Sequence, residues 1–158
     1  MDINQLGRNK KMEQKNDQNL TLPECACRNL RMTTRVITQY YDKALHASGL
    51  KSPQFSLLND ISSREDGISV NELADQAMMD QTTVTRNVEM LRKKGYVDVK
   101  TEDSDSRKKC ITVSETGKNK LALAMPHWLE AQMKLEQIIG KEQYLELLKT
   151  LSILREIK

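Results

Sequence analysis

Apolar residues recur at helical spacing over much of this chain, and the places where the rhythm stops are as informative as the rhythm. From about Glu24 to Leu45, the positions Leu30, Ile37, Tyr41, Ala44 and Leu45 fall at helical intervals, and Gly49 follows as a stop. Ser52-Pro53 reads as an N-cap and a first-turn proline for a short second helix, with Phe55, Leu58 and Ile61 turned inward up to about Arg64. Glu65-Asp66-Gly67 reads as a turn. Ser69 and Glu72 then form a capping box ahead of Val70, Leu73, Ala74 and Ala77, a pattern for a helix of about two turns. The pattern breaks at Met78-Met79. Asp80 is the N-cap of a further helix, from about Gln81 to Lys94, that buries Val84, Val88 and Leu91 and closes at Gly95.

After Gly95 the period changes from helical to alternating. Val97 and Val99 fit one face of a strand, Ile111 and Val113 one face of a returning strand, and the charged stretch Glu102–Lys108 is the expected loop between them. Ser114 caps a long helix to about Ile139, with Leu121, Ala124, Trp128, Leu135 and Ile138 among its apolar positions and a kink expected at Pro126. Gly140 precedes a last helix with Leu148, Leu151 and Leu154. Residues 1–20 are polar and aperiodic and read as a flexible arm. The predicted fold class is mainly α with a small β-wing: a helix-turn-helix with a hairpin after it, flanked by longer helices at either end.

Composition narrows the class without changing it. The chain has 158 residues, 38% hydrophobic and 30% charged, with only 6 Gly and 3 Pro, which suits one helix-rich folding unit. No stretch reaches the roughly 20 apolar residues that span a bilayer, and the first residues carry no apolar signal run, so a cytoplasmic location is expected. The three cysteines, Cys25, Cys27 and Cys110, are an odd number and point to reduced thiols rather than a disulfide framework. A net charge of +3 says little, because nucleic-acid binding depends on where the cations cluster.

On the helix from Gln81, the positions opposite Val84, Val88 and Leu91 are Thr82, Arg86, Glu89 and Lys93, with Thr83 and Thr85 at the borders. A helix of this kind fits the major groove, where Arg86 can donate two hydrogen bonds to a guanine edge and a threonine can bond a phosphate or meet a thymine methyl. At the hairpin tip Arg107 and Lys108 can reach a minor groove or flanking phosphates, with Asp105 expected to pair with Arg107 and aim it. A charged helix face taken alone is more often merely solvated. The capped short helix before it and the hairpin after it favour DNA.

The run from Asp105 through Arg107 to Gly117, DSRKKCITVSETG, resembles the wing motif of the MarR family of regulators. Asn29-Leu30-Arg31, Ser52-Pro53-Gln54-Phe55, Val84-Thr85-Arg86 and Pro126-His127-Trp128 are similar to other features of that family, and the likeness extends from about Cys25 to the C-terminus. It implies a winged-helix domain over 21–158, with a DNA-binding part at about 52–116 and dimerisation helices at about 24–46 and 115–157. It further implies a homodimer on a pseudo-palindromic operator in double-stranded DNA, acting as a repressor released by a small-molecule or oxidative signal. Asn87 stands where the family usually has an apolar residue.

By the same resemblance, Cys27 falls where hydroperoxide-sensing members carry their reactive thiol, with Cys25 beside it. Tyr41 matches one hydrogen-bonding tyrosine of that branch, and Ser52 occupies the place of a second. Other members imply a small aromatic or amphipathic effector, for which Tyr41 and Trp128 are the candidate lining residues. No cofactor is expected. His46 and His127 are isolated and no Cys/His spacing suits zinc, so no metal is expected either. The chain has no phosphate-binding glycine loop, nucleophile elbow or paired-carboxylate signature, which argues against an enzyme. The alternatives are a thiol-based peroxide sensor or Cys27-dependent peroxidase, and a helical dimerisation adaptor without DNA binding.

Overall fold

The computed structural model describes residues 22–102 and 105–157, without the side chains of 101–109. Contacts divide the chain into two units, Met1–Arg35 and Val36–Lys158. In the first, a 3-10 turn at Leu22–Glu24 leads into helix α1, Ala26–Leu45, which crosses the boundary between the units. The Asn29 amide donates to the carbonyls of Pro23 at 2.6 Å and Cys25 at 3.0 Å, tying the entering chain to the first turn. Leu30 and Met32 are exposed.

In the second unit, a 3-10 turn at His46–Ser48 and Gly49, at φ 69°, connect the end of α1 to α2, Ser52–Ser62. The N-cap of α2 is Lys51 rather than Ser52. Two neighbouring groups account for the shift: the Ser52 N–H donates to the Asp42 carboxylate on α1 at 2.7 Å, and the Gln54 side chain accepts from the Lys51 N–H at 3.2 Å. Then follow β1 (Ile68–Ser69), α3 (Val70–Ala77), α4 (Gln81–Lys93), β2 (Val97–Glu102), β3 (Asp105–Val113), α5 (Glu115–Ile139) and α6 (Lys141–Leu154). α5 continues through Pro126 as one helix.

The strands form an antiparallel sheet in the order β1-β3-β2. β1 has no counterpart in the sequence reading, because two residues are too few to show alternation; Ile68 pairs with Ile111 and Ser69 with Cys110. The hairpin is also longer than expected. Glu102 pairs with Asp105, so 105–108, expected in a loop, belong to a strand. The register is irregular between Thr101 and Glu102, and backbone pairing of this kind needs no apolar alternation to form.

One core joins these elements. Leu57, Leu58 and Ile61 of α2, Leu73 of α3, Val84, Val88 and Leu91 of α4, Val97 and Ile111 of the sheet, and Leu121 and Ala124 of α5 are all buried. Burial of this kind, at about 25 cal/mol per Å² of apolar surface, is the main term fixing α4 in place. The inward faces expected for α2, α3 and α4 are those observed. On α5 the expected apolar face is buried only in part: Leu121 and Ala124 are in the core, Trp128 packs on its edge, and Ile138 is exposed. α6 has no buried residue, and its Leu145, Leu147 and Leu148 are exposed.

Candidate nucleic-acid interface

The sequence of α3 and α4 builds a helix-turn-helix through its caps. Ser69 Oγ accepts from the Glu72 N–H at 3.2 Å while the Glu72 carboxylate accepts from the Ser69 N–H at 3.0 Å, the reciprocal arrangement of a capping box. The Ser69 hydroxyl also donates to the Glu72 carboxylate at 2.6 Å, and this bond, with the one from the Ser69 N–H, holds the Glu72 carboxyl below its ordinary pKa. α3 ends at Met78, which takes the left-handed conformation at φ 51° and turns the chain sharply. Such a backbone is uncommon for a residue with a side chain; here the N–H groups of Met78 and Met79 both bond back to the last turn of α3. Asp80 then caps α4, accepting from the Thr83 N–H at 2.8 Å and the Thr83 hydroxyl at 2.6 Å.

On α4 the two faces separate as the spacing predicts. Val84, Val88 and Leu91 point into the core, while Thr82, Thr85, Arg86 and Lys93 are exposed. Arg86 and Lys93 have no ion-pair partner among the described residues, so both cations are available to a ligand. Thr83 is different: its hydroxyl donates to the Asp80 carboxylate and is already engaged. Arg92 makes two bonds of 2.8 Å to Glu89, which raise its pKa and partly neutralise that side of the helix. Asn87 is half-buried and donates to the Thr83 carbonyl at 2.9 Å, which satisfies a polar side chain at a position where an apolar one was expected.

Gln81 escaped the sequence reading. It is exposed in the first turn of α4, the end that helix-turn-helix proteins bring to base edges. The signal was present, since Asp80 as N-cap makes the next residue the first of the helix.

The base of the hairpin is fixed to the end of α4. Tyr96 N–H donates to the Leu91 carbonyl at 3.0 Å, the Ser114 N–H donates to the Tyr96 carbonyl at 3.0 Å, and the Ser114 hydroxyl donates to the Gly95 carbonyl at 2.6 Å. Ser114 Oγ also accepts from the Gly117 N–H at 3.0 Å as the cap of α5. Gly117 is required at this point because a Cβ there would overlap the Tyr96 carbonyl oxygen and lie 2.9 Å from its carbon. The backbone of Asp105, Arg107 and Lys108 runs in β3, but their side chains fall outside the described residues, and so does the expected Asp105–Arg107 pairing.

The remaining candidates lie away from α4. Cys25 and Cys27 are both exposed at the start of α1. Trp128 stacks on Phe55 with ring centroids 6.0 Å apart. The Tyr41 hydroxyl donates to the Gln132 side chain, which in turn donates to the Tyr144 hydroxyl of α6. Burial and the neighbouring Tyr144 and Tyr40 raise the Tyr41 pKa. A groove of about 310 Å³ between α1 and α5 is lined by Tyr40, Lys43, Ala44, His127, Glu130, Ala131 and Lys134; neither Tyr41 nor Trp128 lines it. Among the described residues, no three potential metal ligands come together, and no helix is long and apolar enough to cross a membrane.

Residues 48–108 match the model of the MarR family. The transcriptional regulator MosR of M. tuberculosis, solved in complex with DNA, is 33% identical, with 85% of this chain and 100% of that chain covered at a TM-score of 0.70. Two more distant structures share the fold: S. aureus MepR in complex with DNA (18% identity, 84% and 98% covered, TM-score 0.74) and Bordetella bronchiseptica BpsR (16%, 88% and 99%, 0.78). A comparison with curated protein sequences returns no match.

Proposed function

The chain belongs to the MarR family and is a DNA-binding transcriptional regulator, and on that premise we propose that α4 reads its operator and that the protein acts by repression. The observation that carries the reading is the split of α4 into a core face of Val84, Val88 and Leu91 and an exposed face of Thr82, Thr85, Arg86 and Lys93. Arg86 is the base reader, bidentate to a guanine edge, and Lys93 a phosphate contact. Thr83 contributes by holding the first turn of α4. Arg107 and Lys108 on the hairpin take the minor groove or its phosphates, with Asp105 orienting Arg107.

The working form is a homodimer. Val36, Leu123, Met133, Ile138 and Leu145 are more than half exposed in the single chain, and they lie on α1, α5 and α6, the helices that a second copy would cover. Two-fold symmetry then sets two half-sites about 10 base pairs apart, centre to centre. The protein works in the cytoplasm, occludes promoters by occupancy and needs no catalytic turnover.

Two signals are proposed for release. The exposure of Cys25 and Cys27 favours oxidation, to a sulfenic acid or to a disulfide across the dimer. A small aromatic or amphipathic effector would act on Tyr41 and Trp128, displacing Trp128 from Phe55 of α2. BpsR is described as regulated by 6-hydroxynicotinic acid, which makes aromatic acids the first compounds to try. Because Trp128 is the single tryptophan, its fluorescence reports binding directly.

The decisive experiment is selection of binding sites from random duplexes by the full chain, with and without peroxide. Enrichment of a two-fold symmetric site supports the proposal, and failure to enrich any sequence removes it. Loss of enrichment only in peroxide, with Cys27 oxidised, identifies the oxidative signal.

A further inference from the structure

The connector between α1 and α2 is held by two lysines outside the set proposed to meet DNA. Ser48 is buried, and its hydroxyl donates to the Leu45 carbonyl at 2.6 Å and accepts from the Leu50 N–H at 3.3 Å, so the turn is closed internally. Its last carbonyls are not. Lys120 of α5 donates to the Ser48 carbonyl at 3.1 Å, and Lys94, the residue after α4, donates to the Gly49 carbonyl at 3.2 Å. The Lys120 ammonium also stands 5.4 Å from the centre of the Tyr96 ring. Carbonyls at the end of a helical turn lack internal partners, and a cation is the favoured group to take them.

We propose that Lys94 and Lys120 are positioning residues that lock the end of the recognition helix to the α1–α2 connector, and so set which half-site spacing the dimer can read. This rests on the dimeric, DNA-reading function proposed above. Lys94 follows Lys93 directly, and by composition alone the two would be taken as equivalent phosphate contacts. The geometry separates them, because the Lys94 ammonium is turned to a carbonyl 45 residues earlier in the chain. Tyr96 completes the joint: its N–H bonds Leu91 of α4, its carbonyl bonds Ser114 ahead of α5, and its ring lies under Lys120. The recognition helix, the connector and α5 therefore meet at neighbouring carbonyls. Loosening that joint changes the distance between the two recognition helices without removing any group that touches DNA.

The test uses the full-length chain as wild type, K94M, K120M, the double variant and K94R, on the operator selected by the wild type. Duplexes with the half-sites moved one base pair closer or farther, and random duplexes, complete the set. The double variant is expected to lose on the order of tenfold in affinity for the selected operator. Its preference over the shifted spacings narrows, while binding to random duplexes and the salt slope stay at wild-type values. K94R, which keeps a donor of similar reach, retains the spacing preference. If the double variant does not fold, as judged by thermal unfolding, the single variants are read in the same way. An equal loss on random DNA with the salt slope reduced by about one would make Lys94 a phosphate contact and overturn the proposal. Variants with wild-type affinity and spacing preference overturn it as well. A wild type that enriches no operator defeats the DNA-reading function itself, which distinguishes the two failures.

Discussion

Asp80 holds Thr83 twice: one carboxylate oxygen accepts from the Thr83 N–H at 2.8 Å and the other from its hydroxyl at 2.6 Å. The pair starts α4, and it commits the Thr83 hydroxyl proton to the Asp80 carboxylate. Both bonds favour the ionised carboxylate, so the Asp80 pKa is lowered.

A folded-state pKa below the unfolded value gives stability that is present above the unfolded pKa, about 3.9, and lost as pH falls through the lower folded value. Carboxyl-carbon NMR titration is expected to put Asp80 below the ordinary aspartate range. Thr83→Val, which removes one donor and keeps the shape, is expected to move the midpoint back up. The same variant should lose operator affinity no more than Asp80→Asn does; a larger loss would mean that the hydroxyl contacts DNA directly.

Arg86 and Lys93 are expected to fail in different ways. Arg86→Ala costs about 1 to 3 kcal/mol on the operator and relaxes discrimination at one base position, whereas Lys93→Ala weakens binding to all sequences and lowers the salt slope by about one. Fluorescence anisotropy on specific and random duplexes over a salt series separates them. Equal losses on both duplexes for Arg86→Ala would end its assignment as a base reader.

Gly117→Ala places a methyl group against the Tyr96 carbonyl, a backbone group that cannot step aside. The expected destabilisation is about 1 to 3 kcal/mol or more, as for overpacked interiors. Urea unfolding measures it. Ser114→Ala, which removes the cap and the bond to Gly95, is expected to cost about 1 kcal/mol.

The exposed apolar residues of α5 and α6 predict a dependence on concentration. Ile138→Glu combined with Leu145→Glu is expected to shift the chain to monomer in analytical ultracentrifugation and to abolish tight operator binding. Weak binding to random DNA should persist. A double variant that remains dimeric would place the interface elsewhere.

Much of the helix-turn-helix was legible in the sequence because its signals are local. Ser69 with Glu72, Asp80 with the turn after it, and the 3.6-residue spacing of Val84, Val88 and Leu91 each depend on residues within one or two turns of one another. Those features fix the helices and which face of α4 is turned outward. β1 was invisible, because Ile68 and Ser69 become a strand only by pairing with Ile111 and Cys110, more than forty residues away. The outer hairpin was hidden for a related reason: backbone pairing extends it through charged residues that show no alternation.

The sequence by itself determined that α4 is a capped, two-faced helix between a sharp turn and a hairpin, and that Arg86 lies on its outward face. Only the tertiary structure decided which polar groups on and around that helix are free to act. It engages Thr83 with Asp80, pairs Arg92 with Glu89 and turns Lys94 to the Gly49 carbonyl, while Arg86 and Lys93 keep no ion-pair partner among the described residues. The physical reason is range. Caps and periodicity are set by neighbours along the chain, whereas the commitment of a charged or polar side chain depends on what folding brings within hydrogen-bond distance.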